Sequence, residues 1–385
     1  MNSNNKSNLS LITTSVSTYA PTINISLALA VIILSACVGI KGQSLLLSRP
    51  LTMRWYYPSS SLSAITPVRN LETAYIPLAG GGIIALQIKD GQLMWKTDVG
   101  GDVLVEPSVD SESLYVANVA QEALGEGSKE PGVFLRSISG SSGVIHWLRA
   151  LPKAVLHISN SDTSTLFAVS FNNMVMGVDK KTGQIKWSSQ QSSRILSAPI
   201  FNNSFLYLAL EDGELVALRQ EDGTSARRYR TPNHATTALL TPDGSFYLGT
   251  AEGYVYALSE MGDSLVVDWR KRMGNEIQSL GQTSQGLLVV SRDNSITFLK
   301  RQGGKRLWKR HLTDRLAAQP LLQEDAGLFA PVGEEICIVL SLRDGKQINT
   351  LDLGKNNSLI ASPVIAENYL LVPTKLGLIA FTASR

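Results

Sequence analysis

The sequence predicts an all-β fold: an eight-bladed β-propeller with four antiparallel strands in each blade. A phrase of turn, alternating apolar residues, Asp-Gly and tryptophan recurs along the chain. The tryptophans return at a nearly constant step, and each chain end carries the part of a repeat that the other lacks.

The phrase runs first from Gly82 to Trp95, through Ile83-Ile84-Ala85-Leu86 and Asp90-Gly91, and then from Asn173 to Trp187. It returns at Gly213–Gly223, at Gly253–Leu258 with Trp269, at Asn294–Leu299 with Trp308, and at Ile336–Gly345; a looser copy ends at Trp147. Trp55, Trp95, Trp147, Trp187, Trp269 and Trp308 mark a step of roughly 40 residues. The interval 187–269 spans two repeats, the intermediate tryptophan being replaced near Arg228. The longer interval 95–147 holds the Gly- and Glu-rich stretch Val119–Pro131, which reads as a surface loop. If the loose copy over Gly132–Trp147 is not a blade, the count becomes seven.

Within a step, runs such as Phe205-Leu206-Tyr207-Leu208-Ala209 between turn residues read as strands. Asp-Gly pairs close hairpins because glycine accepts the positive φ that such turns require. One four-stranded sheet cannot bury both its faces, so the copies must stack against one another. The final stretch, Ser362–Phe381, supplies three strands but stops before an Asp-Gly-Trp strand, whereas Met53-Arg54-Trp55-Tyr56 is such a strand without its three predecessors. Joined, they complete the last blade of a propeller domain over residues 52–385 and leave no open edge.

The N-terminus reads as an address. Residues 1–24 are polar, with Lys6 as the one charge, and the apolar run Leu27–Leu34 follows. The run ends in Leu34-Ser35-Ala36-Cys37, similar to the lipobox at which a bacterial signal peptide is cut and the cysteine lipidated. This reading gives a signal peptide over 1–36, lipid on Cys37, and a lipidated linker over 37–51. A transmembrane anchor is the alternative, but Ile25–Ile40 provides only 16 residues, short of the roughly 20 that span a bilayer. Val38 after the cysteine, rather than Asp, is similar to Gram-negative lipoproteins sorted to the outer membrane. The several acyl chains of such a lipoprotein anchor it firmly at the periplasmic face.

Composition excludes several functions. With 44% hydrophobic residues in 385, a large core is available. The net charge of +3 is spread along the chain without a run of five basic residues, so no nucleic-acid footprint exists. His146, His157, His234 and His311 fall in different repeats with no metal-ligand spacing. Asp90, Asp222, Asp243 and Asp344 belong to Asp-Gly turns, where a carboxylate bonds its own turn. Neither a Gly-x-Ser-x-Gly elbow nor a phosphate loop occurs. No catalytic residue, metal ligand or cofactor is therefore expected. Cys337 shares its strand position with Ile83, Leu215 and Val255 and reads as a buried apolar thiol. The tryptophans, recurring at one repeat position, read as packing between blades.

The repeat is similar to the pyrroloquinoline-quinone-type propeller repeat. With the lipobox-like Leu34–Cys37, eight copies and end-to-end closure, residues 52–383 resemble the BamB-type lipoproteins of outer-membrane protein assembly. The resemblance implies a non-catalytic scaffold that binds the periplasmic POTRA domains of a BamA-type barrel insertase, with unfolded outer-membrane protein chains as further partners. In that family the partner surface lies on the loops leaving the third Trp strand and the next one. Here the first loop, Trp187–Pro199, carries Arg194, matching the family's arginine ahead of Ser-Ala-Pro, with Ile195 and Leu196 for apolar contact. The second, Thr231–Thr237, carries Asn233 and His234 and matches a Thr-Thr pair, without the acidic residues that precede it in the family. A ligand-binding or sensory propeller, or a quinoprotein-dehydrogenase-like protein, shares the blade pattern and is the alternative. Such dehydrogenases are longer and often carry a vicinal cysteine pair, which this chain lacks.

Overall fold

The computed structural model describes residues 45–384, apart from 124–130, 162, 197, 203, 231–232, 241–243 and 263. The expected signal peptide and Cys37 lie outside the described residues, as does Asp243. The described chain forms eight four-stranded antiparallel sheets, so the count is eight and the loose copy ending at Trp147 is a blade. Blades 1 to 7 span 68–98, 108–151, 155–190, 200–230, 235–272, 277–311 and 321–352. Blade 8 combines 364–383 with Leu51–Pro58, which pairs along Gly377–Ala383 as the ends of the sequence predict.

Seven sheets keep chain order and blade 8 takes Leu51–Pro58 as its fourth strand, so the strands of each can be lettered a to d. Because neighbours are antiparallel, the d-to-a connections and b–c turns share one face of the ring, and the a–b and c–d turns share the other. Strands b and c are buried on both sides, as in Thr73–Pro77 and Phe246–Thr250, whereas d strands alternate between exposed and packed residues. Alternate residues of one strand serve two seams. Ile84 and Leu86 of blade 1 pack with Ala366 and Leu371 of blade 8, while Ile83 and Ala85 meet Leu114 and Val116 of blade 2. Burying both faces removes apolar area from water at roughly 25 cal/mol per Å², and no blade achieves this alone.

The expected loop Val119–Pro131 is strand over Val119–Ala123 and at Pro131, and 124–130 lie outside the described residues. Ser113–Ala123 and Pro131–Ser139 continue as a b–c hairpin, with Val119 opposite Val133 and Ala123 opposite Pro131. The apolar residues Val119 and Ala120 extend the strand pattern, and a strand backbone satisfies its own polar groups where a loop would not.

At six seams a tryptophan locks one blade to the next. The indole nitrogens of Trp55, Trp95, Trp147, Trp187, Trp269 and Trp308 donate at 2.7–3.1 Å to carbonyls of the following blade's c–d turn: Ile88, Gly140, Lys180, Gln220, Arg301 and Leu342. Each ring lies on that turn's glycine, Gly91, Gly143, Gly183, Gly223, Gly304 and Gly345, where a β-carbon would overlap it. In blades 1, 2, 3 and 6 the tryptophan is four residues beyond its own turn glycine, and in blade 4 that count, like the strand register, gives Arg227 rather than Arg228.

Arg227 has no turn glycine to cover, because blade 5 prolongs its c and d strands into a longer hairpin, Tyr254–Met261 with Ser264–Arg272. Instead its guanidinium reaches Glu260 at 3.4 Å, an oxygen that also accepts the hydroxyls of Tyr207 at 3.1 Å and Tyr229 at 3.0 Å. Burial, followed by the Glu260 charge, pushes the Tyr207 hydroxyl up to about 12, so it remains a donor. A polar cluster thus stands in for an indole at that seam.

Candidate partner-binding site

Arg194 opens blade 4 on the face of the d-to-a connections. Its carbonyl accepts the backbone N–H of Glu211 in the b–c turn at 2.8 Å, and its guanidinium meets the Glu211 carboxylate at 3.0 Å. The backbone bond is a property of the repeat. Ser61 with Ala79, Asp102 with Val119, Ala154 with Phe171, His234 with Ala251, Glu276 with Arg292, Arg315 with Val332 and Ser358 with Lys375 make the same bond in the other blades. Arg194 and His234 are therefore the same position in successive blades. The fold needs only their backbone, which leaves the side chain free to differ.

The two loops converge on one turn. The His234 Nδ1 lies 2.6 Å from the Glu211 carbonyl oxygen, which can only accept, so that nitrogen carries the hydrogen. Glu211 thus holds Arg194 through its side chain and His234 through its backbone. Across this face a reversed pair recurs in blade 6, where Arg292 meets Glu276 at 2.6 Å.

Ile195 is not a surface contact. It is 2% exposed, bridges Leu210, and packs among Leu206, Leu208 and Val216 with Phe167 and Val169 of blade 3. Leu62, Val103, Leu316 and Leu359 make the same isolated bridge in other blades, which explains why the position is apolar. Leu196 is half-buried and donates its backbone N–H to Ala209 at 3.0 Å. Asn233, also half-buried, accepts the Tyr256 hydroxyl, so it braces the second loop from within. The exposed groups are Arg194 and His234. Sequence reasoning missed Glu211, and it missed Phe171, which is 62% exposed on the neighbouring b–c turn. Both could have been found by stepping roughly 40 residues between b–c turns.

On chemistry the described residues offer little. No group of three or more His, Cys, Asp or Glu side chains is arranged to hold a metal among them. Cys337 is fully buried, and desolvation pushes its thiol up to about 12. His157 is half-buried, and burial lowers its pKa, which keeps the ring neutral at pH 7. The Asp-Gly carboxylates are occupied by their turns: Asp90 accepts Gln92 N–H at 3.0 Å, Asp222 that of Thr224 at 2.9 Å, and Asp344 that of Lys346 at 3.1 Å.

These features define a closed eight-bladed propeller of PQQ-like repeats, with Arg194, Glu211 and His234 together on one face. The chain belongs to the family described as outer membrane protein assembly factor BamB, whose model matches residues 133–265 and 240–385. It is 33% identical to the BamB of Nitrosomonas eutropha over 126 residues, 32% of this chain and 30% of that protein. It is 22% identical to the BamB of Yersinia pestis over 303 residues, 78% of this chain and 66% of that one, so both matches span less than two thirds of the relatives' own length. Among solved structures, BamB from Moraxella catarrhalis superposes with a TM-score of 0.68 at 13% identity, covering 87% of this chain and 98% of the other. At that identity the likeness shows the fold alone.

Proposed function

We propose that this protein is a non-catalytic scaffold lipoprotein on the periplasmic face of the outer membrane, assisting the insertion of β-barrel proteins by holding a BamA-type insertase through its POTRA domains. The observation that carries the reading is the convergence of Arg194 and His234 on Glu211. Two family loops, 40 residues apart in sequence (194 and 234), meet on one exposed rim. The face suits a tethered scaffold. Leu51 starts a d strand opposite Ala383, so the chain joins the ring on the a–b and c–d turn side, away from Arg194. A lipid on Cys37 would tether the protein to the membrane. Unfolded outer-membrane chains are further partners on this reading.

The test is a crosslinked pull-down from the native membrane fraction, comparing the parent with Arg194→Glu and His234→Glu. Recovery of a POTRA-bearing insertase by the parent, and its loss with either folded variant, supports both function and site. Recovery by all three removes the site, and recovery by none removes the function. Labelling with a palmitate analogue that persists in Cys37→Ser would overturn the lipid assignment.

A further inference from the structure

The seam between blades 7 and 8 is the second one without a tryptophan. The position that the turn-glycine count and the register assign to it is Asn349, opposite Val339 as Trp95 is opposite Ala85. Blade 8 also has no c–d turn for an indole to cover, because its c strand Gly377–Ala383 pairs with Leu51–Pro58, which lies more than 300 residues earlier in sequence. Left there, the joint would lack both halves of the lock that six other seams carry.

The residues ahead of the first strand fill that place. Leu45–Pro50, which the sequence presents as the end of a linker, lies against the propeller, with Leu45 1% and Leu47 0% exposed. Both leucines pack in one cluster with Ala326, Cys337 and Val339 of blade 7 and Leu370 and Phe381 of blade 8. The segment turns on itself through Arg49 N–H to the Leu46 carbonyl at 3.1 Å, and Pro50 accepts Ser384 N–H at 3.0 Å, which ties the two chain ends together. Asn349 donates from Nδ2 to the carbonyls of Leu47 at 3.3 Å and Arg49 at 2.7 Å, as an indole donates to a turn carbonyl elsewhere. Gln323 holds both sides of the segment, donating to the Leu45 carbonyl at 2.7 Å and accepting Leu47 N–H at 2.7 Å; Ser48 donates to Asp325 at 2.8 Å.

We infer that Leu45–Arg49 is a closure strap: with Asn349 it rebuilds, from the two chain ends, the lock that a tryptophan and a turn glycine form at the other seams. The tether side of the protein is thereby part of the ring. The strap holds the first strand against the last, and its release opens the ring at this joint before any other. Segments outside the sheet ladders, as Leu45–Pro50 is, open at lower free energy than the strands they cover.

Cys337 is a built-in reporter because its side chain lies in the cluster beneath the strap. The experiment measures maleimide labelling of Cys337 by peptide mass spectrometry, and hydrogen exchange across 51–58, in the full chain and in Asn349→Ala, Leu47→Ser and Trp187→Leu. Asn349→Ala and Leu47→Ser should each speed labelling about tenfold, the scale expected for two lost hydrogen bonds or an emptied apolar site. Exchange over 51–58 should rise with it, whereas Trp187→Leu should leave both unchanged. Labelling within about twofold of the parent in folded Asn349→Ala, a change well below the net worth of one hydrogen bond, would overturn the strap. So would equal acceleration by Trp187→Leu, or faster exchange confined to 45–49. If Leu47→Ser does not fold, Asn349→Ala decides alone, since it removes donors without emptying the core.

Discussion

The ring of Trp147 lies on Gly183 so closely that a β-carbon there would come within 2.5 Å of the ring, while its Nε1 donates to the Lys180 carbonyl at 2.8 Å. The tryptophan of one blade and the turn glycine of the next are thus one device split across a seam. It explains a sequence feature that neither residue explains alone: where the following blade lacks the turn, at blades 5 and 8, the tryptophan is absent too.

Gly183→Ala should therefore cost more than backbone strain. At φ 70 an alanine costs about 1–2 kcal/mol, and the displaced indole adds to it, for a total of about 3 kcal/mol or more. Gly262 has a similar φ of 63 in the blade 5 turn, but among the described residues beyond its chain neighbours no atom lies within 4 Å of its β-carbon position. Gly262→Ala should show the backbone cost only. Denaturant titration of both variants gives the difference, and equal losses would dismiss the ring contact.

The Asp-Gly turns predict an acid limb to stability. The Thr224 hydroxyl, then its backbone N–H, holds the Asp222 carboxyl below the usual carboxylate range, and the Lys346 N–H does the same first for Asp344. A depressed folded pKa means the contribution is complete above the unfolded value near about 3.9 and is lost as pH falls through the folded one. Thr224→Val should move Asp222 back toward the ordinary range in an NMR titration and leave its neighbours' titrations in place. An unmoved Asp222 would show that the hydroxyl is not the cause.

The Arg194–Glu211 pair should matter little to stability. Its side chains are 61% and 51% exposed, and exposed ion pairs contribute about 0–1 kcal/mol. Arg194→Glu and Glu211→Arg should each stay within about 2 °C of the parent melting temperature. A larger drop in either would mean that a loss of partner capture reports the fold rather than the rim.

How much was legible follows from distance along the chain. The blades, the closure of Leu51–Pro58 on Gly377–Ala383 and the buried Cys337 rest on local pattern and periodicity, which survive in the sequence. Glu211 is legible only by stepping from one b–c turn to the next, because it reaches Arg194 from a different loop, and the backbone bond repeated at each blade reveals the pairing. Ile195, expected in apolar contact with a partner, escapes local pattern for the same reason: it lies in a loop by sequence, yet it pairs with Leu210 and is buried. The strap falls within the expected linker over 37–51 because two leucines without a strand pattern carry no periodic signal, and the cluster that receives them comes from residues 326–381.

Arg136 shows the limit of pattern from the other side. It occupies strand c of blade 2, one residue before the tryptophan's partner Ser137, where blades 1, 3, 4 and 7 place Ile84, Met176, Val216 and Ile338. It is 7% exposed, and its Nε and Nη1 find no hydrogen-bond partner among the described residues. Its guanidinium lies 5.2 Å from the Phe134 ring centroid. Desolvation lowers its pKa, opposed by the charge of Asp98, so the site works against the charged form it holds. A buried charge with unmet donors costs more than an apolar side chain of similar length, and such replacements commonly stabilise by about 1–4 kcal/mol. Arg136→Met should accordingly raise the melting temperature by several degrees, at about 2 °C per kcal/mol, with the blade pattern unchanged by circular dichroism. A fall instead would mean that the guanidinium has a partner outside the described residues, and that blade 2 keeps its arginine for that contact.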